Sequence, residues 1–148
     1  MKNTLLRCLL LVGLTSCSKA GNDPPPASLA PSVAVLAAGT WQWTALSYVA
    51  TPKGGGPVVT SNAIVTPGAM AVTYNFDGTM HTSYSSSSEV GSYTLTGSTL
   101  TTVLSRNPLL PNRTLASTVK ELTAIRLVLE SPREDAAFRY IDTHTFAR

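Results

Sequence analysis

Beyond position 17 the 148-residue sequence contains no cysteine; its two, Cys8 and Cys17, both lie near the start. Whatever domain follows them can form no disulfide and offers no thiolate chemistry, so packing alone must hold it together. Histidine is almost as scarce, with only His81 and His144, and without cysteine this leaves no zinc ligand set of the usual kind. Charged residues make up 13% of the chain and do not cluster. Set aside Lys2 and Arg7 in the first 16 residues, and nine Lys and Arg face eight Asp and Glu. Nucleic-acid binding needs a concentrated positive face, which a balanced scatter does not supply. No serine stands in a Gly-x-Ser-x-Gly elbow and no two carboxylates have a usable spacing, so catalysis has no nucleophile to name. A sustained 3.6-residue apolar period is missing as well, which argues against a helical domain.

What is present begins with an address. Lys2 and Arg7 precede and punctuate an apolar run that starts at Leu5, and the run closes on Leu14-Thr15-Ser16-Cys17. A basic start, about ten apolar residues and a small-residue exit describe a secretory signal peptide over residues 1–16, too short to span a bilayer. Leu-Thr-Ser-Cys resembles a bacterial lipobox, in which the cysteine is acylated, as with palmitate, and becomes the first mature residue. The resemblance implies lipidation at Cys17 and a membrane partner reached through that acyl anchor. Ser18 is not the Asp of an inner-membrane retention signal, and no acidic run follows Cys17. By the same resemblance the expected location is the outer membrane, facing the periplasm. Removing 16 residues leaves 132, enough for one domain.

Residues 17–35 carry Gly21, Pro24, Pro25, Pro26 and Pro31 without any amphipathic period and read as a Pro-rich tether. Residues 36–148 read as the folded domain. Around Trp41 the residues alternate, placing Trp41, Trp43 and Ala45 on one face. After a Gly- and Pro-rich loop over 51–57, a short strand is expected near Val58 to Val65. Met70 to Tyr84 reads as a hairpin about Asn75-Phe76-Asp77-Gly78. A two-residue turn would set His81 and Ser83 beside Val72 and Tyr74. A three-residue loop ending at Gly78 sets Met80, Thr82 and Tyr84 there, and is preferred because it gathers the apolar groups. Val90 to Ser105 is a second hairpin turning at Gly97-Ser98, pairing Leu95 with Leu100 and Tyr93 with Thr102. Three more strands are expected over 115–122, 124–130 and 136–147, the last two separated by a polar turn at Ser131 to Asp135. Ile125, Leu127 and Leu129 share one face. Phe138, Tyr140, Asp142, His144 and Phe146 share another, and either side of that last strand could face inward.

About eight antiparallel strands in sequence predict an all-β, up-and-down meander that closes into a small barrel, since closure removes exposed edges. A β-sandwich is the alternative. Gly39-Thr40-Trp41, Asn75-Phe76-Asp77-Gly78-Thr79, Tyr93-Thr94-Leu95-Thr96-Gly97 with Leu100, and the run Val119 to Leu129 resemble the lipocalin-like domain of small bacterial lipoproteins. The likeness covers roughly Leu36 to Arg148. It implies a structural role for Gly39 and Trp41, with Trp41 at the closed end of the barrel beneath an arginine, either Arg139 or Arg148. It also implies a small, often apolar ligand inside.

Tyr74, Met80, Tyr84 and Tyr93 are expected to face the interior, and with Tyr140 and His144 they are the candidate ligand contacts. The competing role for the first four is simple core filling. Asp142 and His144, two apart on one strand face, could pair as an oriented base; a solvent-facing pair is the plainer reading, and the chain is expected not to be an enzyme. The sequon Asn112-Arg113-Thr114 carries no weight if the chain is bacterial, as the lipobox resemblance implies. No cofactor, metal or nucleic acid is expected. Three functions stand: an anchored carrier of a small apolar molecule, a structural or inhibitory envelope lipoprotein whose packed barrel acts on an unknown protein partner, and an enzyme built on Asp142 and His144.

Overall fold

The computed structural model describes residues 31–105 and 112–148. Residues 1–30, including the expected signal peptide, Cys17 and most of the tether, lie outside these described residues.

The domain is all-β, as the alternation predicts. Among the described residues one helical turn, α1 (Val33–Leu36), precedes nine strands: β1 (Thr40–Pro52), β2 (Val59–Ile64), β3 (Met70–Tyr74), β4 (Thr79–Tyr84), β5 (Ser88–Thr96), β6 (Thr99–Ser105), β7 (Arg113–Leu122), β8 (Arg126–Glu134) and β9 (Phe138–Ala147). Every pairing is antiparallel, and β1 bonds both β3 and β9, so eight strands close into a barrel. The architecture is lipocalin-like rather than a sandwich.

The ninth strand is explained by the length of β1. One edge of β1 is held by β9 from Gln42 to Pro52. On its other edge, Thr40 to Gln42 pair with β3 and Ala45 to Ala50 pair with β2. A strand has only two edges, so β2 and β3 are successive halves of one wall position, interrupted by the loop that contains Pro67-Gly68. Among the described residues β2 is bonded on one side only, and it is almost wholly exposed. The wall made by β2, β1, β9 and β8 therefore rises above the shorter β3 and β4.

Both expected hairpin registers are observed. Tyr74 pairs with Met80, Val72 with Thr82 and Met70 with Tyr84. Asn75 N–H donates to Thr79 O at 2.9 Å across the three-residue loop, and Gly78 supplies the positive φ of 84° that this loop demands. In the second hairpin Leu95 faces Leu100 and Tyr93 faces Thr102.

Four local expectations are corrected. The register of β1 slips between Trp43 and Ala45, so Trp41 and Trp43 point inward while Ala45 turns to the outer face and Leu46 replaces it opposite His144. A bulge adds one residue and thereby exchanges the faces beyond it. Ile125 is 69% exposed in the turn before β8, while Leu127 and Leu129 are buried. β8 runs on through the segment expected as a turn, to Glu134. Pro132 is accommodated because it falls beyond the last β7–β8 pair, Thr118 with Glu130, where one edge of β8 is no longer in a ladder. The tether also ends earlier than expected: Val33 to Leu36 form a helical turn capped by Ser32 Oγ, and Leu36 is fully buried. Four residues are too few for a helical period to be read in sequence.

The core occupies one end of the barrel. Leu36, Trp41, Tyr74, Tyr93, Leu127 and Phe146 pack there, all at most 5% exposed. Trp41 and Leu36 plug this end. Trp41 Nε1 donates to Leu36 O at 2.8 Å, and the Arg148 guanidinium lies 3.7 Å from the centre of the Trp41 ring. Arg148, not Arg139, is the covering arginine: its guanidinium donates to Leu36 O and Val35 O at 3.2 and 2.5 Å and to Ala124 O at 3.3 Å. Arg139 instead lies outside, 76% exposed near Glu134.

Candidate functional site

Above the packed end, the strands enclose a cavity of about 330 Å³ that is partly open to solvent. Period-two alternation brings its walls together. From β3 come Met70, Val72 and Tyr74; from β4, Met80, Thr82 and Tyr84; from β6, Leu100, Thr102 and Leu104. On β7 the inward phase of Val119 continues through Ser117 and Leu115 to Arg113. On β8 that of Leu129 continues through Ser131 to Arg133. Phe146, His144 and Asp142 complete the wall from β9, which settles the inward face of that strand.

The cavity is graded. Its floor is formed by Val72, Met80, Leu100, Leu129 and Phe146, all buried and apolar. One level up, Ser117 and Ser131 share a 2.7 Å hydrogen bond, which carries the β7–β8 contact past the last ladder pair. At the mouth, Arg133 grips both oxygens of Asp142, with Nε–Oδ2 at 2.8 Å and Nη2–Oδ1 at 3.3 Å. The same guanidinium lies 3.8 Å from the centre of the Tyr140 ring, and the Tyr140 hydroxyl donates to Asp135 Oδ2 at 2.8 Å. This chain of contacts holds Arg133 at the rim, and its hydrogen bonds to Asp142 raise its pKa further.

Of the six residues expected to contact a ligand, the structure brings Tyr74, Met80, Tyr84 and His144 to the cavity wall. Tyr93 lies in the packed end, its ring edge-on to Tyr74 at 4.9 Å and its hydroxyl donating to Asn75 O at 2.7 Å. That bond anchors the first hairpin loop to the barrel and leaves Tyr93 in a packing role. Tyr140 stands beyond the lining, under Arg133 at the rim. Burial pushes the Tyr74 phenol well above its usual pKa, so this wall stays neutral.

Asp142 and His144 share a face but are held apart in their contacts. Asp142 is engaged by Arg133, while the His144 ring packs at 5.7 Å against Trp43. Desolvation pushes the His144 pKa down, and the nearby Asp142 carboxylate only partly offsets that. At neutral pH the imidazole is an uncharged part of the cavity wall. Trp43 Nε1 is buried and has no hydrogen-bond partner among the described residues. Among those residues no group of three His, Cys, Asp or Glu side chains is placed to hold a metal ion. Gly39 adjoins the Arg148 side chain, where a Cβ would sit at an ordinary 3.7 Å.

The site residues missed in sequence are Arg113 and Arg133, one inside a dismissed sequon and the other in an expected turn. Their signal was the alternation itself: Arg113 is in phase with Leu115, and Arg133 with Leu127 and Leu129. The sequence matches no protein-family model and no curated protein. Its class therefore rests on architecture, a closed antiparallel lipocalin-like barrel with one packed end and one hollow end.

Proposed function

We propose that the protein is a lipid-anchored binding module of the lipocalin-like type, tethered through Cys17 to the outer membrane and holding a small apolar molecule in its barrel on the periplasmic side. The observation that carries this reading is the 330 Å³ cavity with an apolar floor and a polar rim. Its size lies at the low end of the range for small-molecule sites, about 300–1,000 Å³. Interiors are normally filled to crystal-like density, so a hollow above a packed end favours a carrier over a structural or inhibitory barrel acting through its outer surface. An enzyme built on Asp142 and His144 loses support because Arg133 occupies the carboxylate that would orient the imidazole.

Native mass spectrometry of the full chain purified from its host tests the proposal. A bound small molecule, lost when Thr102→Trp fills the cavity, is the expected result. A protein that arrives empty and fails to bind any apolar fluorescent probe would remove the carrier reading.

A further inference from the structure

Among the described residues the cavity wall contains three formally charged side chains, and they are unevenly matched. Asp142 is bonded through both oxygens to Arg133, while Arg113 has no ion-pair or hydrogen-bond partner among the described residues. Neutral His144 adds nothing to the balance at pH 7. Glu89 accepts a hydrogen bond from Tyr84 at 3.1 Å but stands outside the lining. Among the described residues the lining therefore carries a net charge of one positive unit, placed at the mouth by strand position. Arg113 opens β7, four residues before Ser117, and Arg133 lies two residues past Ser131, the serine that Ser117 bonds. Both arginines thus stand on the mouth side of the serine pair.

A charge cannot enter the floor, where Val72, Leu100, Leu129 and Phe146 offer it neither water nor a partner. Any charged part of a ligand must stay at the rim. There a cation would meet two guanidinium groups against one carboxylate that is already paired. An anion would meet a free guanidinium in Arg113 and a second in Arg133, whose flat, multiply donating geometry suits carboxylate and phosphate oxygens. We propose that the ligand is a single-chain anionic amphiphile, its tail on the Val72–Leu100–Leu129–Phe146 floor and its carboxylate or phosphate head between Arg113 and Arg133. This rests on the reading of the cavity as a ligand site and adds to it the sign and position of the head group.

Titration of the full chain with dodecanoate, dodecyl phosphate, uncharged dodecanol and dodecyltrimethylammonium separates the two ideas. Either anion should bind at least about tenfold more tightly than dodecanol, and the cation more weakly than dodecanol; the tighter of the two anions identifies the head. Arg113→Gln should cut the anion-to-dodecanol ratio severalfold, and the double variant Arg133→Gln with Asp142→Asn, which leaves no orphaned carboxylate, should do the same. Arg139→Gln, on the exposed side of β9, should leave the ratio unchanged. Salt should weaken the anions and not dodecanol. Equal binding of anion, alcohol and cation, or a ratio insensitive to both arginines, overturns the head-group assignment while leaving the cavity a ligand site. Failure of every compound to bind, with Thr102→Trp indistinguishable from the parent chain, overturns the carrier reading beneath it.

Discussion

Arg148→Ala should loosen the closed end of the barrel by about 2 kcal/mol. The arginine reaches three backbone carbonyls, those of Val35, Leu36 and Ala124, and covers the Trp41 ring at 3.7 Å. A hydrogen bond of this kind is worth roughly 0.5–1.5 kcal/mol net, and an exposed cation–π contact about 0.5–1 kcal/mol. The full sum overstates the loss, because Leu36 O keeps its bond from Trp41 Nε1 and water can reach part of the vacated space. For a domain of this length, about 2 kcal/mol corresponds to a fall in melting temperature of roughly 8 °C. Arg148→Lys keeps the charge but not the planar fork that spans three acceptors, so it should recover about half of the loss. Arg139→Ala is the control: its guanidinium is 76% exposed and its contact with Glu134 is 3.9 Å, so its effect should stay within about 0.5 kcal/mol. Urea denaturation followed by tryptophan fluorescence reads all three. If Arg148→Ala costs no more than Arg139→Ala, the arginine is not a structural cover and the closed end is held by Leu36 and Trp41 alone.

Gly91→Ala should destabilise the barrel by about 1–3 kcal/mol, because a Cβ there would run into the Val103 carbonyl oxygen on the neighbouring strand; thermal unfolding measures it. The pH profile of stability should bend in a defined window. His144 has its pKa held below the ordinary 6.5, so between these two values the unfolded chain binds more protons than the folded one. Its contribution is complete above about pH 6.5 and declines as pH falls through that value. His144→Phe should flatten that decline in denaturant titrations, whereas Asp77 and Asp135, whose carboxyls are held below their usual range by hydrogen bonds, lose their contributions only at lower pH. Cys17→Ser or globomycin should move the full chain from the membrane fraction to the soluble fraction; unchanged partitioning would refute the acyl anchor.

Strand positions and hairpin registers were legible along the chain because they depend on neighbours in sequence. The positive φ at Gly78 fixes a three-residue loop, and a loop of that length leaves only one register in which Val72 and Tyr74 meet Met80 and Thr82. Likewise Leu95 and Leu100 sit equidistant from Gly97-Ser98, so the second hairpin is fixed by counting. The mouth was not legible. Arg133 was separated from its strand by Pro132, a residue that reads as a stop and is tolerated only because β7 has ceased pairing there.

The sequence by itself determined that the chain builds antiparallel strands, where most of them turn, and that a Gly-x-Trp element opens the barrel. Only the tertiary structure decided which arginine covers Trp41, that Ala45 leaves the inner face, that β2 and β3 share one edge of β1, and that the far end stays hollow. The physical reason is one of range. Alternation and turn chemistry act over a few residues and are written in the local order of side chains. Bulges, shared edges and the meeting of Arg148 with Leu36, 112 positions apart, depend on how a closed sheet brings distant backbone into contact.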